Sequence, residues 1–262
     1  ACKPSAGLPR GRGWLTAGFR RAGRRAGCYK AWITGGEGRR AVIRTLMFLS
    51  HPSHRDPFAH RGAAAAELQA QICPAAAGYT QTRALDAQLE ADQVPHFAGV
   101  AEFRFVDPGA ALAFADKRSA IAPLLAPDAR VVAVVTGVDH VVMRMPTHSA
   151  APGIKGVYPF RGLAHLDSEA FSRRWLYGHG PIAALTEEAL CYVQCHLLAP
   201  AWSAEESAFH AVTEIHWPDI AAARRGVGSR QMREDQGTDA QDFLEPGSVR
   251  LVFAEEETVR RP

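Results

Sequence analysis

The sequence predicts an α+β protein built from two ferredoxin-like β-α-β-β-α-β modules. Three observations predict it: strand-like and helix-like segments alternate in that order, the order occurs twice, and one strand motif recurs 112 positions later. FAGVAEFRF from Phe97 and FHAVTEIHW from Phe209 carry Phe97, Val100, Glu102 and Phe105 against Phe209, Val212, Glu214 and Trp217. Each is followed within three residues by a proline (Pro108, Pro218) and an Ala-rich stretch. A proline in the first turn of a helix loses no hydrogen bond, so both stretches read as helix starts.

The remaining elements follow in chain order. Ala41–Leu49 is apolar and β-rich, Ala63–Ile72 helical, Tyr79–Leu85 extended, and Phe97–Phe105 an alternating strand. Gly109–Lys117 is helical, and Asp128–Thr136 with Asp139–Met143 closes the first module. In the second module Ile154–Phe160 is a strand. Ser168–Tyr177 is a helix capped by Asp167 or Ser168, and Tyr192–Leu198 and Phe209–Trp217 are strands. Asp219–Val227 is a helix and Ser248–Ala254 the last strand. The domain reading is a basic, unstructured extension over 1–40, a module over 41–145, a linker over 146–153 and a module over 154–262. Helices on one sheet face leave the other face to be buried, and the second module can cover it within the same chain. The expected result is an intramolecular pseudo-dimeric α/β barrel with a closed cavity between its sheets, and further homodimerisation is compatible with it.

Composition excludes several classes. Of 262 residues 47% are hydrophobic and 22% charged, as in a globular protein, and no apolar run approaches the roughly 20 residues of a membrane helix. The net charge of +3 is uneven: residues 1–40 hold ten Lys or Arg against Glu37 alone, so the rest is mildly acidic. A nucleic-acid-binding body would carry its positive charge on the fold, so neither nucleic acid nor membrane is an expected partner. Five cysteines without a CxxC spacing imply free thiols in a reducing, cytoplasmic compartment; Cys191 and Cys195 share a strand face too far apart to bridge. There is no phosphate loop, dinucleotide fingerprint or GxSxG element, and His51, His54 and His60 do not match a zinc spacing, so no cofactor or metal is expected.

The stretch IKGVYPFRGLAHLDSEAFSRRWLYGHGPIAA over Ile154–Ala184 resembles the opening of an EthD-type module, within the dimeric α/β-barrel group. The carriers are a strand ending near Phe160-Arg161, a helix with Phe171 and Trp175, and then His179-Gly180-Pro181. YVQCH at Tyr192–His196 and VTEIHW at Val212–Trp217 also resemble that family. The resemblance covers about 154–259 well and the first module mainly over 97–142. Ala63–Ile72 lacks a Trp-x-x-x-His, so the resemblance implies one functional site, in the second module. Relatives in that group act as cofactor-independent isomerases, cyclases, dehydratases and oxygenases on hydrophobic small molecules; others are accessory proteins of catabolic pathways.

His179 is the first candidate for proton transfer, four residues beyond Trp175, with Gly180-Pro181 expected to end the helix there; a helix-capping histidine is the structural alternative. Glu214 and His216 share a strand face with His210, as a base-and-orienter set or as a structural stripe matched by Glu102. His196 and Tyr192 share a parity and could line a cavity with His179, or His196 could be a core-edge residue. Tyr158 and Arg161 flank the first strand of the second module; Arg161 could bind a carboxylate or simply lie at the surface. The sequence thus assigns His179, Glu214 and His196 to catalysis, and Trp175, Tyr158, Tyr192, Arg161, His210 and His216 to substrate binding. The function expected is a cofactor-independent lyase or isomerase acting on a hydrophobic, oxygenated small molecule in catabolism or secondary metabolism. The alternatives are a non-catalytic binding or accessory protein of an oxidative degradation system, and a cofactor-free oxygenase.

Overall fold

A computed structural model describes residues 42–260 apart from 53–55, 91–92, 126–127, 145–152, 199–201 and 203–207. The expected extension over 1–40 and all but the last residue of the linker over 146–153 lie outside the described residues. Eight strands form one closed antiparallel barrel: β1 (Ile43–Ser50), β2 (Gly78–Ala84), β3 (Gly99–Phe105), β4 (Arg130–Met143), β5 (Ile154–Phe160), β6 (Cys191–Leu197), β7 (Ala211–Trp217) and β8 (Val252–Arg260). The ring runs β4-β1-β3-β2 and then β8-β5-β7-β6, closing back on β4. Each half thus has the same strand order, and the seams β2–β8 and β4–β6 leave no open sheet edge.

Helices cover the outside. In the first half these are α1 (Gly62–Ile72), α2 (Pro108–Ala115) and α3 (Arg118–Leu125). In the second, α4 (Ser168–Arg173) runs through a π-turn, Arg174–His179, into α5 (Gly180–Ala183). There α6 (Ile220–Gly228) is followed by a second π-turn, Gln231–Gln236, and α7 (Gly237–Ala240). Asp107, Asp167 and Asp219 cap α2, α4 and α6 by accepting from the third residue on, which fixes where each helix starts.

Strand parity sorts the side chains. Met47, Phe103 and Phe105 point outward to Phe114 and Ile121 under the first-half helices. Leu46, Phe48, Val100, Val135, Val157, Cys195, Val212 and Val252 point inward and fill one part of the barrel. The remaining interior is charged. Arg44 donates through Nη1 to Glu102 at 2.8 Å and Glu214 at 2.9 Å, and through Nε to Asp139 at 2.9 Å. Lys155 binds Glu102, Glu214 at 3.1 Å and Glu256 at 3.0 Å. Arg44 lies opposite Arg104 and Gly137, and Lys155 opposite His216 and Ala254, so the two cations hold equivalent places in the two halves. Glu102 then matches Glu214, and Asp139 matches Glu256.

Several expectations are corrected. The segments Asp128–Thr136 and Asp139–Met143 are one strand, β4, because Gly137 lets β4 approach β6: a Cβ there would meet the His196 carbonyl at 2.5 Å and the Cys195 sulfur at 2.7 Å. The last strand spans Val252–Arg260 and not Ser248–Ala254; the acidic run Glu255–Glu257 reads as solvated surface, yet Glu256 points inward to Lys155. Helix α3 and the segment from Gln231 to Ala240 were not expected. Gly180-Pro181 does not end the helix. The Gly180 N–H reaches back five residues to the Trp175 carbonyl, and the chain continues as α5 with Pro181 in its first turn.

Removing one member of the interior network leaves charge buried without compensation. Arg44→Met is expected to lower unfolding free energy by about 3–5 kcal/mol, read from urea titrations. Asp139 behaves oppositely. Burial outweighs the field of Arg44 and raises its pKa to about 6. A raised carboxyl pKa gives stability that is full below the unfolded value near 4 and is lost as pH rises through 6. Asp139→Asn is therefore expected to gain on the parent between pH 4 and pH 7, by up to ~3 kcal/mol, with the lost Arg44 contact reducing the gain. A stability difference that does not change with pH would contradict this.

Candidate functional site

The helix-covered face of the second half brings together five of the residues singled out from sequence. Its register sets three rows across β5, β7 and β6: Phe160–Ala211–His196, Tyr158–Thr213–Gln194 and Gly156–Ile215–Tyr192. Trp175 descends from the helix above and stacks on His196, with ring centroids 4.3 Å apart at 28°. It also meets Phe160 edge-on at 5.1 Å. Phe171 and Phe243 complete an aromatic layer between helices and sheet.

The wider π-turn frees the Trp175 carbonyl for more than helix bonding. Besides the Gly180 N–H it accepts from the Gln194 side-chain amide at 3.2 Å. That contact orients Gln194, because a carbonyl only accepts. Its Oε1 is then turned to His196 Nε2 at 3.1 Å, where only an N–H can meet it. His196 is therefore the Nε2–H tautomer, and its Nδ1 is a bare lone pair. The residue is 4% exposed, and Nδ1 has no hydrogen-bond partner among the described residues. Burial, and then the nearby His140 ring at 4.6 Å, hold its pKa well below the usual histidine value.

Tyr158 is the second such group on this face. Its hydroxyl is buried and likewise has no partner among the described residues. Burial, and then the neighbouring Tyr192 phenol, push its pKa well above 10, so it remains a donor. The ring occupies space that Gly156 leaves: a Cβ there would lie 2.8 Å from both Tyr158 and Trp217. A buried polar atom without a partner costs roughly 1–3 kcal/mol, and two on one sheet face mark a place where a ligand can restore the loss.

His179 lies on the same side of the sheet, in the helix layer. Its Nδ1 is 2.8 Å from Asp239 Oδ2, its ring packs edge-on to Phe243 at 5.0 Å, and the Gln236 side chain is a further hydrogen-bonding neighbour. Asp239 also receives Arg174, so it ties the first π-turn to α7. Burial lowers its pKa and Asp239 partly opposes this.

The other sequence candidates are elsewhere. Glu214 points into the barrel, on the opposite sheet face from His179 and His196, and both its oxygens are engaged by Arg44. The three residues assigned to catalysis therefore do not converge, because strand parity puts 214 inside and 196 outside. His216 shares the inward parity of Glu214, with Lys155 and Glu256 among its electrostatic neighbours. His210 accepts the Gly162 N–H on Nδ1 at 3.1 Å and packs, tilted by 31°, against Trp202 with ring centroids 4.1 Å apart. Arg161 pairs with Glu245 at 2.9 Å, both partly exposed. Among the described residues no group of three or more His, Cys, Asp or Glu is placed to hold a metal ion.

One signal in the sequence went unread. Tyr192-x-Gln194-x-His196 has a counterpart in Tyr79-x-Gln81-x-Arg83, at the same places in the ladder. In the first half every polar group is spent: Gln81 donates to the Tyr79 hydroxyl at 3.1 Å, and Arg83 binds Asp56 and Glu257. In the second half the same frame leaves His196 Nδ1 unspent. Reading the two triplets together would have singled out Gln194.

No family model matches the chain, and no curated protein matches it. Solved structures with similar folds do. An anthrone oxidase-like protein superposes with a TM-score of 0.53 at 8% identity, over 85% of this chain and 94% of its own. A mutant chlorite dismutase from Candidatus Nitrospira defluvii gives 0.46 at 12%, over 82% and 91%. An EthD family protein from Bacillus halodurans gives 0.33 at 16%, over 40% of this chain and 99% of its own. At these identities the likeness concerns the fold alone.

The tautomer assignment is directly measurable. Nitrogen-detected NMR of the histidine rings is expected to show His196 neutral at pH 7, protonated on Nε2 and bare on Nδ1. Gln194→Leu is expected to abolish that tautomer preference. An imidazolium at pH 7, or an Nδ1–H form, would contradict the hydrogen-bond analysis.

Proposed function

We propose that the chain is an enzyme that uses no cofactor and moves a proton on a hydrophobic, oxygenated small molecule. The site is the helix-covered face of the second half, and the observation that carries the reading is the unpaired Nδ1 of His196 beneath Trp175. A neutral imidazole in an aromatic enclosure accepts a proton from an acidic O–H or C–H, and the electron pair stays on the substrate as a phenolate or enolate. Returning the proton to another atom completes an isomerisation; loss of a leaving group completes a lyase reaction. Tyr158, kept protonated, can donate to the developing oxyanion. Trp175, Tyr192 and Phe160 supply the apolar wall. His179, held by Asp239, positions the helix layer, and Glu214 belongs to the barrel interior.

The architectural reading accompanies this one. Residues 41–145 and 154–262 are proposed as duplicated modules joined by 146–153 into a pseudo-dimer, the second retaining the site. The shared strand order, the matched ion pairs and the paired Tyr-x-Gln triplets support it. A cofactor-free oxygenase is the second reading, favoured by the aromatic lining and by the name of the anthrone oxidase-like protein of similar fold.

The test is hydrogen–deuterium exchange at the α-carbon of a panel of aryl ketones, followed by NMR. His196→Gln keeps an acceptor but no base, and is expected to slow the best substrate by about 10²–10⁴-fold. His179→Gln is expected to act less, through positioning. The parent rate is expected to be flat from about pH 6 to 8, because a lowered pKa keeps His196 neutral there. Equal rates for parent and His196→Gln would overturn the assignment. Oxygen uptake with the same panel would favour the oxygenase.

A further inference from the structure

We infer that the ligand of this face is an uncharged aryl ketone or quinone bearing a free hydroxyl, its hydroxyl donating to His196 Nδ1 and its carbonyl accepting from the Tyr158 hydroxyl. This rests on the proposed site and names the class of molecule it takes.

Polarity comes first. The Gln194 relay from Trp175 forces Nδ1 of His196 to be an acceptor, so the ligand must present a donor there. The Tyr158 hydroxyl has a proton and no acceptor among the described residues, so the ligand must present an acceptor. In the first half Arg83, at the place of His196, is bound by Asp56 and Glu257, and Met47 stands at the place of Tyr158, so neither unmet bond is a requirement of the fold.

Span comes next. Tyr158 and His196 stand two strands apart and one residue pair out of row. With strands about 4.8 Å apart and about 6.8 Å per residue pair, their Cα atoms lie roughly 12 Å apart. Allowing for the two side chains, a body of one or two fused rings with oxygens at opposite ends suits the interval. The aromatic rings of Trp175, Phe160 and Tyr192 border this part of the face.

Charge excludes the acidic alternatives. Of the cations on the covering segment, Arg173 pairs with Glu169 at the surface and Arg174 is committed to Asp239 and Asp242. His179 is held by Asp239, and burial keeps His196 and His140 toward their neutral forms. A carboxylate or phosphate would enter an apolar layer without a countercharge, which is costly.

Four probes separate these requirements by calorimetry on the full chain. They are 6-hydroxy-1-tetralone, its 6-methoxy ether (no donor), 5,6,7,8-tetrahydro-2-naphthol (no carbonyl) and 6-hydroxy-2-naphthoate (charged). The hydroxyketone is expected to bind at least about tenfold tighter than each of the others. His196→Phe should erase the preference over the ether and keep that over the naphthol; Tyr158→Phe should do the reverse. Equal affinities, a preference for the acid, no binding of any probe, or preferences that survive both substitutions would overturn the inference. If His196→Phe does not fold, the four parent affinities and Tyr158→Phe still decide. Binding is read without turnover, so the expected pattern without α-exchange would sink the proton-transfer reading and leave this one standing.

Discussion

Everything in this fold hangs on how a closed barrel accommodates charge in its interior. Arg44 and Lys155, 2% and 1% exposed, are placed by parity where water cannot solvate them. Each is held by carboxylates from both halves: Arg44 by Glu102 and Asp139 of the first and Glu214 of the second, Lys155 by Glu214 and Glu256 of the second and Glu102 of the first. An interior ion pair adds little net stability over well-packed apolar residues, but losing one partner is costly. The network therefore works mainly as a register device. A one-residue slip of β1 or β5 would turn a cation out of the barrel and strand its carboxylates.

That constraint also fixes where chemistry can occur. Because the interior cations and carboxylates are paired with one another, the candidate binding face is between sheet and helices, where polar atoms lack partners among the described residues. There the two halves differ. The first half spends its Tyr-x-Gln-x-Arg groups on one another and on neighbouring acids, whereas the second carries Trp175 over His196 and leaves polar atoms unmatched. The π-turn at Arg174–His179 contributes directly, since it leaves the Trp175 carbonyl in reach of Gln194 and so sets the tautomer of His196. π-turns concentrate at functional sites for this kind of reason: they redirect a backbone group without ending the helix.

Much was legible in the chain. Alternation over Phe97–Phe105 and Phe209–Trp217, the prolines that follow and the recurring Glu102/Glu214 gave the element order and the barrel class, because a period of two and a first-turn proline are local properties. Parity also placed Tyr192 and His196 on one face. It did not say which face was inside: Glu214 and His196 stand on different strands, so their grouping rested on residue type and not on a shared surface. The π-turn was illegible for a similar reason. Gly180-Pro181 is a helix breaker by propensity, yet the helix persists through the five-residue bond from the Gly180 N–H to the Trp175 carbonyl, with Pro181 in the first turn of α5.

By itself the sequence determined the strand and helix periods, the twofold recurrence of the pattern and the richness of the second half in aromatic and titratable residues. These follow from neighbours along the chain. The tertiary structure decided which residues meet: it sent Glu214 and His216 into the barrel with Lys155 and kept His196 beneath Trp175. It gave His179 to Asp239, sixty residues on, and left Nδ1 of His196 and the Tyr158 hydroxyl unpaired. The physical reason is that hydrogen bonding and burial are properties of a closed three-dimensional set of neighbours. Ring closure through β2–β8 and β4–β6 pairs residues from 49 to 181 positions apart, and no local pattern encodes which of them will find partners.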